Sequence, residues 1–218
     1  MKRRTLDVLF SVGGIALAAL LLVLGLVMTS NADFARGYVG DQLGQQNITF
    51  KPAAALTEQE RRSTCLVAFA GQRLTTGKQA ECYANDFIGL HLQAVADGRT
   101  YADLGEPQSA LREQVGAAEA SDDPRLAALK ADLATVTAQR ETLFKGETLR
   151  GLLLTSFGFS VFGAKGEQVA SVAYVVAGLL ALLAMAGFVH AFKTPRDEVF
   201  AAPEPSDSPA DGKTLVGV

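Results

Sequence analysis

Val8–Thr29 reads VLFSVGGIALAALLLVLGLVMT, Val169–Phe192 reads VASVAYVVAGLLALLAMAGFVHAF, and neither stretch contains Asp, Glu, Lys or Arg. A helix rises 1.5 Å per residue, so about 20 apolar residues are enough to cross a hydrocarbon core of ~30 Å. Two such runs, one near each end, predict two transmembrane helices. The segment between them, Ser30–Gln168, carries 14 Lys and Arg against 17 Asp and Glu, and it holds both cysteines. It is long enough for one water-facing domain with its own core. It has no basic cluster of the kind that grips phosphate backbones, which argues against nucleic acid as a partner.

Charge next to the runs sets the expected orientation. Lys2, Arg3 and Arg4 precede the first run, and Lys193 and Arg196 follow the second. Positive flanks stay on the cytoplasmic side, so both termini are expected inside and the central domain outside. Ser30-Asn31-Ala32 resembles a signal-cleavage site, but the apolar run before it is longer than the usual ~7–15 residues of a signal core. An uncleaved anchor is the expectation. The expected architecture is all-α: a basic N-terminus over 1–7, a span over 8–29, an extracytoplasmic helical bundle over 30–168, a second span over 169–192 and a disordered cytoplasmic tail over 193–218. That tail is rich in proline, serine and acidic residues.

Local signals partition the central domain. Phe34, Tyr38 and Leu43 are spaced to continue the first span as helix as far as Gln46, and Lys51-Pro52 breaks it. Thr57-Glu58-Gln59-Glu60 and Thr76-Gly77-Lys78-Gln79 are both capping-box sequences. They predict one helix from Thr57 to Ala70 and another from Thr76 to Ala96. Pro107 is expected to begin a short helix with Leu111 and Val115. Ser121-Asp122-Asp123-Pro124 starts another, whose apolar seam is Leu126, Leu129, Leu133, Val136 and Leu143. Leu152–Phe162 (LLLTSFGFSVF) is apolar but too short to cross a bilayer. It could lie at the membrane surface, pack in the bundle or enter the membrane as a re-entrant segment.

Cys65 and Cys82 are nearly equidistant from Leu74, the centre of the Gly71–Gly77 connection. Two antiparallel helices joined there would place them at one height, so a disulfide is expected, in a compartment where disulfides persist. The bond would close a loop of about 17 residues, worth ~3 kcal/mol in the chain-entropy model.

The chain is poor in chemistry-bearing patterns. Its two histidines, His91 and His190, fall in different topological compartments, which excludes a two-His-one-carboxylate iron site within one chain. His91 reads as a hydrogen-bonded residue at a core edge, and His190 as an interfacial residue or one axial ligand of a cofactor shared with a partner. No GxSxG, HExxH, Walker A or GxGxxG pattern occurs. Asn47-Ile48-Thr49 matches a glycosylation sequon, a pattern of low specificity. No catalytic, metal or cofactor-binding residue is assigned. Small residues at Gly14, Ala18, Ala173, Ala177 and Ala181 suit close helix packing, within the chain or with a membrane partner or second copy. Leu74, Thr75, Thr76 and Lys78, tethered by the disulfide, are the candidate partner loop.

Several strings resemble a family of functionally uncharacterised two-span membrane proteins of actinobacteria: FARGYVGDQLGQQ (Phe34–Gln46), LTTGKQAECYANDFIGLHL (Leu74–Leu92), RTYADLG (Arg99–Gly105) and LFKGETLRGLLL (Leu143–Leu154). The resemblance runs from about Phe34 to Phe192. Some members carry the label aromatic ring-opening dioxygenase, which the histidine count here does not support. The resemblance implies the plasma membrane of a Gram-positive cell, with the bundle facing the wall, and it carries over no catalytic residue. The expected function is a non-enzymatic membrane-complex subunit whose outer domain scaffolds or binds an envelope component. The alternative is an extracytoplasmic small-ligand sensor that signals through a separate partner.

Overall fold

Helix α1 (Arg3–Gln45) does not stop where its apolar run stops. The computed structural model describes residues 2–195, and through them the chain is helical, with no strand among the described residues. At 1.5 Å per residue α1 is about 64 Å long. It closes at Asn47, which takes a left-handed backbone (φ 53°) and whose side-chain oxygen accepts a hydrogen bond from Arg73. The sequon asparagine thus serves as the end of a helix. The second long element, α6 (Leu126–Lys193), is a single helix of 68 residues. Leu152–Phe162 is uninterrupted interior helix within it, which rules out the separate re-entrant piece. The physical reason is plain: nothing between Leu126 and Lys193 is proline, and the glycines there cost helix stability without breaking it.

Each long helix contains a segment apolar enough to be a candidate span, with mean hydropathy of 2.6 in α1 and 2.4 in α6. The chain divides into two units, Met1–Leu26 with Ala170–Val218, and Val27–Val169. Of the first, the tail from residue 196 onward lies outside the described residues, and so does the expectation of disorder there.

In the first unit the helices meet through small side chains. Ser11, Ala18 and Gly25 are buried on α1, and Ala170, Ala177, Ala184 and Ala191 on α6, all at a seven-residue period. A β-carbon added at Gly14 would already touch Ala184, and one at Gly25 would overlap the Tyr174 ring. Ala173 and Ala177 are buried here too, and Ala181 is half-buried. The alanine ladder therefore packs inside the chain. Small residues let helix backbones approach, and a strict seven-residue period keeps the seam facing the partner helix.

The second unit builds a core around the disulfide. The Thr76 capping box forms as expected, with Gln79 N donating to Thr76 Oγ1 and Gln79 Oε1 accepting from Thr76 N. It opens α3 (Gly77–Cys82), which continues through a π-helical turn (Tyr83–Ile88) into α4 (Gly89–Val95). The Thr57 box forms too, Glu60 and Thr57 each bonding the other's backbone N–H. It opens only a 3₁₀ turn, Glu60–Arg62, and the expected helix Thr57–Ala70 is not there. Ser63 is the reason. Its backbone is extended and its hydroxyl accepts from Leu66 N, so it caps a second short helix, α2 (Thr64–Ala68).

Cys65 and Cys82 are bonded, with Cα atoms 6.0 Å apart. The connection before α3 pairs with the strand-like segment after α1: Phe50 N donates to Gln72 O, Gly71 N to Lys51 O, and Leu74 N to Ile48 O. Phe50, Leu66, Leu74, Ala84, Leu104, Leu143 and Leu153 fill the core. Helix α5 (Gly105–Ala120) carries Pro107 in its first turn and joins α6 through Gln108, which donates to Thr137 at 2.8 Å and accepts from Arg140 at 2.5 Å. All of the seam residues Leu126, Leu129, Leu133, Val136 and Leu143 are buried or half-buried.

Candidate functional site: an apolar cleft on the second unit

Between α1 and α6, within the second unit, lies a cleft of about 320 Å³. Helical spacing builds both walls. Tyr38 and Gln42 stand four residues apart on α1, with Gln46 just beyond its end; Leu149, Leu152, Ser156 and Phe159 recur every three or four on α6. Val39, Leu43 and Leu153 form the buried floor. The α6 wall is more apolar than its composition suggests. The Thr155 hydroxyl donates to Gly151 O at 2.9 Å and the Ser156 hydroxyl to Leu152 O at 3.2 Å, so both are spent on their own helix. No charged side chain lines the cleft.

The rim is hydrophobic and open. Leu152 is 62 % exposed, Phe159 55 % and Tyr38 52 %. Phe34 stacks on Tyr38 with ring centroids 5.8 Å apart, lengthening the apolar face along α1. Large exposed apolar side chains gathered on one face are the usual mark of an interaction surface. The sequence signal is Leu152–Phe162 itself, expected at the membrane surface, in the bundle or as a re-entrant segment, and found along one wall of this cleft.

The candidate partner loop divides. Leu74 is fully buried in the core and does not present itself to a partner. Thr75, Thr76 and Lys78 are exposed and line a second cleft of about 280 Å³ with Arg36 and Ser160. Its two cations already have partners, Lys78 with Glu81 at 2.6 Å and Arg36 with Glu167 at 2.5 Å.

The titratable clusters are structural in form. His91 places Nδ1 2.6 Å from Phe87 O and packs against the Phe87 ring at a tilt of 46°. His190 places Nδ1 2.9 Å from Asp7 Oδ2, in the other unit. Cys65, Cys82 and Asp86 bring potential ligand atoms within 4.8 Å of one another, but the two sulfurs are bonded to each other and leave a single carboxylate. Glu60 is buried and ionised. Burial opposes its charge, yet the Lys51 ammonium and the Thr57 backbone and hydroxyl bonds outweigh that, holding its carboxyl below the usual value. No family model matches the chain, and neither a curated protein nor a solved structure matches it.

Proposed function

We propose that the chain is an integral membrane protein of the two-span actinobacterial kind it resembles. In this reading α1 and α6 cross the plasma membrane near Val8–Thr29 and Val169–Phe192, both termini are cytoplasmic, and the second unit faces outward. It is a non-enzymatic subunit that binds an envelope component through the α1–α6 cleft.

One observation carries the membrane part. In the first unit the small residues are inside and the large apolar ones outside: Ala177 is 1 % exposed and Ala184 4 %, whereas Phe10 is 75 %, Leu183 68 % and Phe192 78 %. A water-soluble protein buries its large hydrophobes. A helix pair in lipid has no such incentive and packs by close backbone approach instead. Cysteine accessibility tests the topology. Ala127→Cys, at an exposed position of α6, should react with a membrane-impermeant maleimide on intact cells. Ser206→Cys should react only after permeabilisation. The reverse pattern overturns the orientation, and equal labelling of both in intact cells overturns the two-span reading.

A further inference from the structure

We infer that a polar cleft of the second unit, between α5 and α6, binds a free α-amino acid with an aromatic or apolar side chain. The inference goes beyond the proposed function and does not depend on which way the chain crosses the membrane. The cleft has a volume of about 450 Å³, within the ~300–1,000 Å³ usual for small-molecule sites. Helical spacing builds it. Gln108 and Arg112 stand four residues apart on α5, and Thr137, Arg140, Glu141 and Phe144 share one side of α6. Gln108 is only 4 % exposed, and its amide donates to Thr137 at 2.8 Å and accepts from Arg140 Nη1 at 2.5 Å. Arg140 Nε donates to Tyr101 O at 3.3 Å, and the guanidinium lies 4.0 Å from the centre of the Tyr101 ring. Neutral groups therefore fix this cation in the wall. Arg112 lines the same cleft, is exposed, and makes no hydrogen bond or ion pair with any described residue. Among the described residues neither guanidinium has a carboxylate partner.

A guanidinium stays charged at any physiological pH, and its planar fork matches a carboxylate. Two of them without a partner call for an oxyanion. The third charged group of the cleft narrows the choice. Glu141, next to Arg140 in the chain, lines the cleft too, and it would repel a plain dianion such as phosphate. Its Oε2 pairs with Lys145 at 3.5 Å in an exposed contact, and its Oε1 bonds no described residue. A ligand that brings its own cation turns that repulsion into attraction. In an α-amino acid the ammonium and the carboxylate sit on one carbon, as close together as the charges of neighbouring residues on a helix. The remaining wall is aromatic. Phe144 is 58 % exposed and packs against Tyr101 with ring centroids 5.9 Å apart, which offers a shelf for an apolar side chain. The carboxylate thus goes to Arg112 and Arg140, the ammonium to Glu141 and the side chain to Phe144.

The test is calorimetric titration of the full-length protein in mild detergent with three probes. L-Phenylalanine carries both charges, hydrocinnamate lacks the ammonium and phenethylamine lacks the carboxylate. Saturable binding of L-phenylalanine is expected, with each of the other two about tenfold weaker. Arg112→Met and Arg140→Met should each weaken L-phenylalanine about tenfold. Arg140 also ties α5 to α6, so Arg112→Met, at an exposed and unpaired position, is the variant that tests the site without touching the fold. Glu141→Gln should weaken L-phenylalanine and leave hydrocinnamate no weaker. No saturable binding of L-phenylalanine below about 10 mM, or binding that Arg112→Met leaves unchanged, overturns the proposal. Hydrocinnamate binding as tightly as L-phenylalanine overturns the amino-acid assignment, and so does a Glu141→Gln variant that weakens both equally.

Discussion

The Glu60 carboxylate accepts a 2.7 Å hydrogen bond from the Lys51 ammonium while its own side chain is only 1 % exposed. Its other oxygen takes the Thr57 N–H at 2.7 Å, and His91 Nε2 lies 3.6 Å away. One buried carboxylate therefore ties the segment after α1 to the 3₁₀ turn that precedes the disulfide. Folding lowers the pKa of Glu60 from its ordinary 4.5. A lowered carboxyl contributes stability that is complete above the unfolded value and is lost as pH falls through the native one. The domain should therefore lose stability below about pH 4.5. Glu60→Gln should cost about 1–3 kcal/mol at pH 7 and flatten that acid limb. Denaturant titrations of the full-length protein between pH 3 and 7 give both numbers, and an unchanged acid limb in the variant would show that Glu60 is not the responsible group.

The disulfide gives a second prediction. Cys65 and Cys82 are 17 residues apart, so reduction or a Cys65→Ser/Cys82→Ser double substitution should cost about 3 kcal/mol. For a domain of this size that corresponds to a fall in Tm of roughly 6–12 °C. The partner of the effect is local: Leu66 and Leu74, on either side of Phe69–Gln72, are both in the core the bond spans. Circular dichroism melts with and without reductant measure it, and a drop below 2 °C would mean that the hairpin holds without its clip.

A third concerns the contact of α3 with α6. A β-carbon on Gly77 would overlap the Ser160 side chain and press on the Phe157 backbone at 3.3 Å. The glycine is there so that the cap of α3 can sit directly on α6. Gly77→Ala should cost about 1–3 kcal/mol, as overpacking does. Because the obstacle is a side chain, Ser160→Gly should recover a large part of that loss. A double-mutant cycle with no coupling between the two positions would refute the contact.

These residues also show what was readable in the sequence. The Thr76–Gln79 cap, the Pro107 start and the cysteine register were legible, because each is a local rule that no tertiary contact contradicts. The Thr57 helix was misjudged because two caps compete within seven residues, and Ser63 restarts the helix that Thr57 opens. Leu152–Phe162 was set apart by hydropathy, although helices are ended by backbone chemistry and that stretch holds no proline. The cleft was the least readable feature. Tyr38 and Phe159 lie 121 positions apart in the numbering and line one cleft only because α1 and α6 pack together in the second unit. Leu74 fails as a partner residue for a similar reason. A leucine in a polar turn looks exposed until Leu74 N is seen bonded to Ile48 O and its side chain in the core.

The final prediction sets two neighbouring residues of α6 against each other. Ala184 is 4 % exposed and faces Gly14, where even an added β-carbon would lie 3.4 Å from the Ala184 β-carbon. Leu183 is 68 % exposed. Were the outward face of α6 packed against another protein, Leu183→Ala, which deletes a large apolar group from that packing, would be the more damaging change. In a helix pair surrounded by lipid or detergent the order reverses. Ala184→Leu forces the helices apart and should cost about 1–3 kcal/mol, whereas Leu183→Ala exchanges side-chain contact with tails that are equally apolar and should stay within about 0.5 kcal/mol. Thermal unfolding of the full-length protein in mild detergent, followed by resistance to proteolysis, ranks the two. If Leu183→Ala proved the more damaging, the outward face of α6 would have to be covered by protein, and the helix would belong to a buried interface with another subunit.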